Sequence, residues 1–486
     1  MTEVSRGIAD DWISRFGDPA ALARRLRWDG LTAEDFQALP ARHMRDLGNA
    51  ARRAEATLRA YDAAAAKATL LALERGQAEQ APLGLLLADA DDWTALRSLL
   101  REAAGAGWHG PVQASLGRVA LAHGITALRE AKARMKRDAK LLAERFGFRA
   151  DALRDVAALG DPHAGGRRVL RLEDANGQAV FLKPRPLDGE RLMDKLACSL
   201  GPDGAGIRLP KMLVRPTYGW VAEARPADSP ALRAAGTLLA IADLAGAVDL
   251  HAENLMPAAA GAALLDGEMA LHPDLPLDLV PVEARAAAAA LRSGVLRTGI
   301  LPEPHQPPSL CGVAAWGTSV PMMSGDAAEV AEGYTWAFTR LCARAGARAS
   351  LARCLPARGT VRLLLRHTAG YARLLDRLRD PRATPGPQAL ALHLEMLRIV
   401  MARHATRRPR LWGIAAAEAT ALLRGDIPRL WVGWDSDEIR EGSGRAAPCA
   451  VLATTPRAMA MARAALFGPG RATVQARLVR KVLSAG

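Results

Sequence analysis

Asp249, Asn254 and Asp266 are the residues whose types and spacing could do chemistry. Asp249 and Asn254 stand five apart in Val248-Asp249-Leu250-His251-Ala252-Glu253-Asn254, and Asp266 follows twelve residues later in Leu264-Leu265-Asp266-Gly267-Glu268. Phosphoryl transfer asks for that order: one Asp to align the attacking hydroxyl, then an Asn and a second Asp to hold Mg2+ against the phosphates of ATP. His251 lies inside the loop, where it either hydrogen-bonds to orient its neighbours or takes a direct chemical part. Ala262-Ala263-Leu264-Leu265 reads as a strand that delivers Asp266, and Glu268 adds a ligand or a base if the strand continues.

Such a loop has to be positioned by a sheet and helices, and the surrounding sequence predicts both. Residues 10 to 150 carry apolar positions at three- and four-residue spacing, with one long helix or two abutting ones from Ala114 to Phe146 that end at Gly147. Arg168 to Leu172 and Ala179 to Leu182 read as strands of a hairpin turning through Asn176-Gly177. Lys183 closes the second strand, where a pleated backbone fixes the direction of an ammonium toward ATP phosphates. Before the hairpin, Gly160-Asp161-Pro162-His163-Ala164-Gly165-Gly166-Arg167 reads as a turn whose N–H groups could lie over phosphates. Leu213 to Glu223 adds strand-like sequence, and a helix from about Ser229 to Ala245 leads into the Asp249 loop. Prolines from 273 to 281 and from 302 to 308 mark irregular connections, and from Ala327 onward the pattern is helical again.

The bulk composition excludes several classes. At 486 residues, half of them apolar, the chain is long enough for two or three lobes and is not a disordered polymer. The longest apolar run, Ala234 to Leu250, is interrupted by Asp243, so no membrane span is expected. The five cysteines are scattered without metal-ligand spacing, which fits reduced thiols and a cytoplasmic location. Net charge is +14, yet only eight of the 65 basic residues are lysines and no nucleic-acid-binding signature accompanies them. Stretches such as Lys132 to Arg137 and Arg403 to Arg410 read as solvated helix faces, and nucleic acid is not an expected partner.

Gly160-Asp161-Pro162-His163, Lys183-Pro184-Arg185, Asp249-x-His251-x-x-Asn254, Asp266-x-Glu268 and Val295-Leu296-Arg297-Thr298-Gly299-Ile300-Leu301-Pro302 follow one another along the chain. Arg362-x-x-x-Arg366-x-Thr368 and Arg424-Gly425-Asp426-Ile427-Pro428 come after them. In that order, over about residues 160 to 430, they resemble the dehydratase domain of class II lanthipeptide synthetases, the LanM family. The resemblance implies an enzyme that phosphorylates Ser and Thr of a ribosomally made precursor peptide with ATP and Mg2+, then eliminates phosphate to give dehydroalanine or dehydrobutyrine. It implies an α+β fold with a two-lobed core similar to lipid kinases. The expected division is a helical N-terminal region over 1–155, a β-containing lobe over 156–228, a kinase-like lobe over 229–345 and a helical elimination/activation region over 346–486.

Carried over by motif, Lys183 would contact phosphates, Asp249 would activate the hydroxyl, His251 would support it, and Asn254 and Asp266 would hold the metal, with Glu268 beside them. Asp161, His163, Arg362 and Thr368 would serve chiefly in elimination. Chemically, elimination needs a base for the α-proton and cations for the developing charge, and Arg362 suits a phosphate as a permanently charged bidentate donor. Arg362 and Thr368 are six apart, so they would lie on different faces of a continuous helix and converge only if the chain changes course near Arg366 or approaches the pocket end-on. The implied partners are a precursor peptide with its leader and, where thioether rings are made, a separate cyclase or other tailoring enzyme. No Cys-His-Gly motif is present and Cys449 is the last cysteine, so the family's zinc-dependent cyclase domain is not expected in this chain. Two other readings stay open: a peptide kinase that leaves its phosphate in place, and an inactive peptide-binding scaffold.

Overall fold

The computed structural model describes residues 33–61, 110–201, 207, 209–226, 231–258, 261–273, 294–302, 307–343, 345–363, 365, 368–404, 413–442, 447–468 and 470–484. In chain order these form α1 (Ala33–Tyr61), α2 (Pro111–Phe146), β1 (Leu153–His163), β2 (Arg167–Asp174), β3 (Ala179–Lys183), α3 (Asp188–Ser199), β4 (Met212–Val214), β5 (Gly219–Ala222) and α4 (Leu232–Ala245). They continue with β6 (Leu255–Ala258), β7 (Gly261–Leu264), α5 (Ser324–Cys342), α6 (Gly346–Cys354), β8 (Thr360–Leu363), α7 (Thr368–Arg379), α8 (Pro387–His404) and α9 (Gly413–Leu423). The last are β9 (Leu430–Gly433), β10 (Glu438–Glu441), β11 (Pro448–Val451), α10 (Pro456–Ala465) and α11 (Arg471–Ser484). The protein mixes helix and sheet and divides into two units: Met1–Pro184 with Leu364–Leu430 and Ile439–Val451, and Arg185–Leu363 with Trp431–Glu438 and Leu452–Gly486.

In the first unit, α2 buries Leu116, Val119, Leu128, Met135 and Leu142, the last three spaced by sevens along one face, and packs against α1. Pro111 starts it, where a missing N–H costs nothing, and the Gly147 N–H closes it on the Ala143 carbonyl at 2.9 Å. Strands β1, β2 and β3 form an antiparallel meander in which Ala158 pairs with Leu170 and Leu170 with Leu182. Its second turn is built by Asp174, fully buried, whose Oδ1 accepts from the N–H groups of Asn176 at 2.9 Å and Gln178 at 3.0 Å. The meander carries Asp161 and His163 at the end of β1 and Lys183 at the end of β3.

In the second unit, α4 is buried along nearly its whole length and packs against α5. Leu238, Leu239, Ile241 and Leu244 are each 0% exposed, and burial of a side chain of that size contributes about 2 kcal/mol. The Asp243 that interrupts its apolar run is also buried; it accepts the Tyr334 O–H at 2.8 Å and pairs with Arg471 of α11 at 2.8 Å. A charged group can sit there because two partners satisfy it. Among the described residues no helix is long and apolar enough to cross a membrane. The short hairpin β6–β7 flanks the Asp249 loop, β4 pairs with β5 in a second hairpin, and β8 runs beside β9, with the Trp434 N–H on the Gly359 carbonyl at 2.8 Å.

Several local expectations change. Gly160 to His163 belong to strand β1, which leaves only Ala164 to Gly166 as the turn before β2. The stretch between Lys183 and β4 contains helix α3, whose buried Leu192, Met193 and Leu196 recur at helical spacing. The stretch from 346 onward contains strands β8 to β11 among its helices; each is four residues long, too short for its period to show against helical neighbours. Arg362 lies on strand β8, not on a helix shared with Thr368, because the sequence Thr360-Val361-Arg362-Leu363 alternates half-buried and buried positions. Arg366 and most of the proline-marked connections, 274–281 and 303–306, lie outside the described residues, as do the positions 405–410 of the second basic stretch.

Candidate active site

In the second unit the Asp249 loop leaves α4 through Gly246 and is shaped from three sides. The Leu250 N–H donates to the Thr298 carbonyl at 2.8 Å, the Asn254 amide donates to the Asp249 carbonyl at 2.7 Å, and the Leu265 N–H donates to the Asn254 carbonyl at 2.8 Å. The last bond belongs to the β6–β7 hairpin and is what brings Asp266 back beside Asn254. Gly299, at φ +82°, is required here: a Cβ on it would stand 2.9 Å from the Leu250 nitrogen. Thus Thr298-Gly299 forms the floor under the loop. Asp249 itself has φ +63°, a backbone conformation rare outside glycine and often found where structure over-determines a functional residue.

His251 belongs to the same loop. Its Nε2 lies 3.8 Å from Asp249 Oδ1 and 3.2 Å from Asn254 Nδ2, and its Nδ1 accepts from the Glu253 N–H at 3.4 Å. With Nδ2 of Asn254 spent on a backbone carbonyl, the amide's oxygen is the atom with which Asn254 could meet a cation.

Behind the loop lies an ion-pair network that sequence reasoning did not assign. Arg185, 6% exposed, donates Nε to Glu268 at 3.1 Å, binds Glu190 with both terminal nitrogens and reaches Asp266 Oδ1. Arg362 donates to Glu268 Oε1 at 2.7 Å while its backbone N–H meets the Glu268 carbonyl at 3.1 Å. Asp266 Oδ1 also accepts the Glu268 N–H at 3.1 Å, an Asx turn that follows the end of β7 at Leu264. Strand β8 is held in place by Asp188 at the start of α3, which accepts the Thr360 N–H at 3.0 Å. Burial alone would favour loss of the Arg185 proton, but Asp266, Glu190 and Glu268 outweigh it and hold the guanidinium charged well above its ordinary range. Arg362 behaves likewise, with Glu268 as its chief counter-charge. Burial pushes the Asp249 carboxyl up; His251 and Arg362 pull it back, and the charges of Asp266 and Glu268 push it further up.

Among the described residues, this cluster sets the carboxylates of Asp249, Asp266, Glu268 and Glu190 against two guanidiniums. The excess is negative, and the donors beside Asp249 are carboxylate and amide oxygens. That is the chemistry of a hard divalent cation such as Mg2+, so the residues present fit the metal. The described residues contain no group of three or more His, Cys, Asp or Glu placed to hold a metal ion, so this fit rests on the amide of Asn254 as well as on carboxylates.

The other predicted residues lie in the first unit. Lys183, 5% exposed, ends β3; Thr368 opens α7; Asp161 and His163 stand two apart on β1. His163 Nδ1 lies 2.8 Å from the Ile427 carbonyl, so the neutral ring carries its proton on Nδ1 and its lone pair on Nε2. Ala164, Gly165 and Gly166 follow with φ of 48°, 91° and 73°, three successive left-handed residues whose N–H groups form an anion-binding concavity. No phosphate is needed to fill it: Asp426 accepts from the Gly165 and Gly166 N–H groups at 2.7 Å each. The expectation that this turn lies over phosphates is thereby corrected, because its donors are already committed to a side chain. Burial pushes the Asp426 carboxyl up and the His123 ring down, while each, as counter-charge, pulls the other back.

Arg185 and Asp426 were both within reach of sequence reasoning, since each belongs to a short motif noticed there, Lys183-Pro184-Arg185 and Arg424 to Pro428. What was missing was a role, because their partners lie 81 and 261 residues away. A family model described as Domain of unknown function (DUF4135) matches residues 111–320 and 326–432. Comparison with curated proteins gives no match.

Proposed function

The chain belongs to the DUF4135 family, and on that premise we propose that it is a LanM-like peptide dehydratase. It phosphorylates Ser or Thr of a ribosomally made precursor with ATP and eliminates the phosphate to leave dehydroalanine or dehydrobutyrine. The observation that supports this reading above the others is Asp249, held in left-handed backbone between Thr298 and Asn254 with the Asp266–Glu268–Arg362 network beside it. Aspartate tolerates this conformation better than most residues, and hydrogen bonds on both sides of Asp249 hold it there as alignment of a hydroxyl would require.

In the first step Asp249 accepts the proton of the peptide hydroxyl as its oxygen attacks the γ-phosphorus, and the bond from that phosphorus to the β-phosphate bridging oxygen breaks. His251 orients Asp249 within the loop, and Lys183 contacts phosphate oxygens as a point charge. Asn254 and Asp266 would hold Mg2+, which supplies charge neutralisation on the phosphates. Glu268 keeps Arg362 and Arg185 in place through both carboxylate oxygens. In the second step a base removes the α-proton, the β-carbon–oxygen bond breaks, and phosphate departs with the electron pair of that bond. His163, with its lone pair on Nε2, is suited to be that base, while Asp161 and Thr368 share the elimination set and Arg362 neutralises the departing phosphate.

The test is to incubate the protein with a Ser/Thr-containing precursor peptide, ATP and Mg2+ and to read the peptide mass. Loss of one water per residue is expected, with Asp249→Ala giving neither product and Arg362→Ala or Thr368→Ala accumulating phosphopeptide. Stable phosphopeptide from the unaltered protein would leave a kinase, and an unchanged mass would leave a scaffold; either overturns the proposal.

A further inference from the structure

We infer that Asp426 is a positioning residue for His163, so that the Arg424–Pro428 segment sets the base of the elimination step; this rests on the dehydratase reading. Asp426 and Ile427 together make four hydrogen bonds to one five-residue stretch. The Ile427 N–H donates to the Pro162 carbonyl at 2.8 Å, and the Ile427 carbonyl accepts from His163 Nδ1 at 2.8 Å. One residue earlier, the two oxygens of Asp426 take the N–H groups of Gly165 and Gly166.

The arrangement acts as a clamp for a physical reason. Three consecutive left-handed residues are not a conformation that a free turn keeps, least of all with Ala164 as the first of them. An anion in the concavity holds them, and Asp426, 2% exposed, is an anion that cannot diffuse away. The turn is also pressed against α2, since a Cβ on Gly166 would meet His123 and Gly124 at 3.0 Å. With the turn fixed on both sides, the end of β1 cannot rotate, and the His163 ring stays on the Ile427 carbonyl. That bond decides which ring nitrogen carries the proton, and therefore whether Nε2 can accept one. Two glycine N–H groups facing a carboxylate are complementary; facing an Asn side chain, one of them meets an NH2 group and is repelled.

The experiment has two readouts. Elimination is measured directly on a synthetic phosphoserine precursor peptide with ADP and Mg2+, and phosphorylation on the unmodified peptide with ATP and Mg2+. Asp426→Asn is expected to lower kcat of elimination at least tenfold more than kcat of phosphorylation, in line with the about 10- to 100-fold effects of residues that orient a functional imidazole. Asp426→Glu, which keeps both acceptor oxygens, is expected to recover part of the loss. Nitrogen-15 chemical shifts of the His163 ring should report the proton on Nδ1 in the unaltered protein and a mixture of tautomers in Asp426→Asn. The inference is overturned if Asp426→Asn eliminates at the normal rate, if both steps fall equally, or if the unaltered His163 carries its proton on Nε2. Should the unaltered protein process neither peptide, the dehydratase reading fails, and the tautomer comparison still decides whether Asp426 positions His163. Should Asp426→Asn not fold, the two rates are read on Asp426→Glu: a selective loss of elimination upholds the inference, and an equal fall of both steps or a proton on Nε2 in the unaltered protein overturns it.

Discussion

Asp249 bears two costs in the folded protein: a left-handed backbone at φ +63° and a carboxylate that burial and two neighbouring acids disfavour. The first is worth about 1 kcal/mol or more for a residue with a Cβ, against which the added chain freedom of glycine in the unfolded state counts about 0.4–1 kcal/mol. Removing both costs should therefore outweigh the loss. Asp249→Gly is expected to abolish phosphorylation and yet raise stability by about 1 kcal/mol, while Asp249→Val lowers it, because a branched Cβ tolerates positive φ worst. Urea unfolding of the three proteins at pH 7 decides this; an Asp249→Gly protein less stable than the unaltered one would mean that the loop is not strained. Much of this site was legible residue by residue. The separation of Asp249, Asn254 and Asp266 survives into three dimensions because one hairpin and one turn connect them, with the Leu265 N–H on the Asn254 carbonyl. Arg185 stood in a noticed motif, but its role was not legible, since nothing local tells a solvated arginine from one that is 6% exposed among Glu190, Asp266 and Glu268.

At the scale of elements, the floor beneath the loop gives the Val295 to Pro302 stretch a backbone role although none of its side chains had an assigned one. The turn Gly294–Thr298 presents the Thr298 carbonyl to Leu250, and Gly299 lets the two backbones approach. Gly299→Ala is expected to lose about 2 kcal/mol, from left-handed strain together with crowding of the Leu250 nitrogen. It should also slow phosphorylation tenfold or more, because reacting groups misplaced by about 1 Å forfeit rates of that order. Gly317, at φ +72° with nothing within 4 Å of its would-be Cβ, supplies the control. Gly317→Ala should show the strain without the loss of rate, and equal rates for the two variants would exclude Thr298-Gly299 as the support. At this scale α2 was legible by its period and the β2–β3 hairpin by its Asn176-Gly177 turn, whereas β1, the longest strand, was not, because its buried and exposed positions do not alternate. The four-residue strands β8 to β11 were not, and with them went the true setting of Arg362.

For the molecule as a whole, pH enters through Glu441 at the end of β10. Burial pushes its carboxyl from 4.5 up to about 7; Arg424 pulls it down and Asp426 pushes it up. The folded state therefore binds the proton more tightly than the unfolded state. The associated stability is fully present below about pH 4.5 and is lost as pH rises through 7. At about 1.4 kcal/mol for each tenfold change in proton affinity, the loss amounts to about 3 kcal/mol at most. Glu441→Gln, which cannot ionise, is expected to raise the melting temperature at pH 8 and to leave it near that of the unaltered protein at pH 4.5. The same shift at both pH values would assign the effect to packing. This carboxyl was illegible in the sequence because its burial is a product of tertiary packing that no local pattern announces.

The discontinuity of the two units bears on heredity. The chain passes from one unit to the other after Pro184, Leu363, Leu430, Glu438 and Val451, so the coding sequence of each is interrupted by that of the other. A gene broken anywhere between codons 185 and 451 would encode two unfinished bodies. Lys183 and Arg185, with only Pro184 between them, fall on opposite sides of the first passage. Recombination can therefore neither lend out the Asp249 loop nor borrow the His163–Asp426 clamp as a module. The two would have to be inherited, and to diverge, as one genetic unit, which accords with a family match that runs through both.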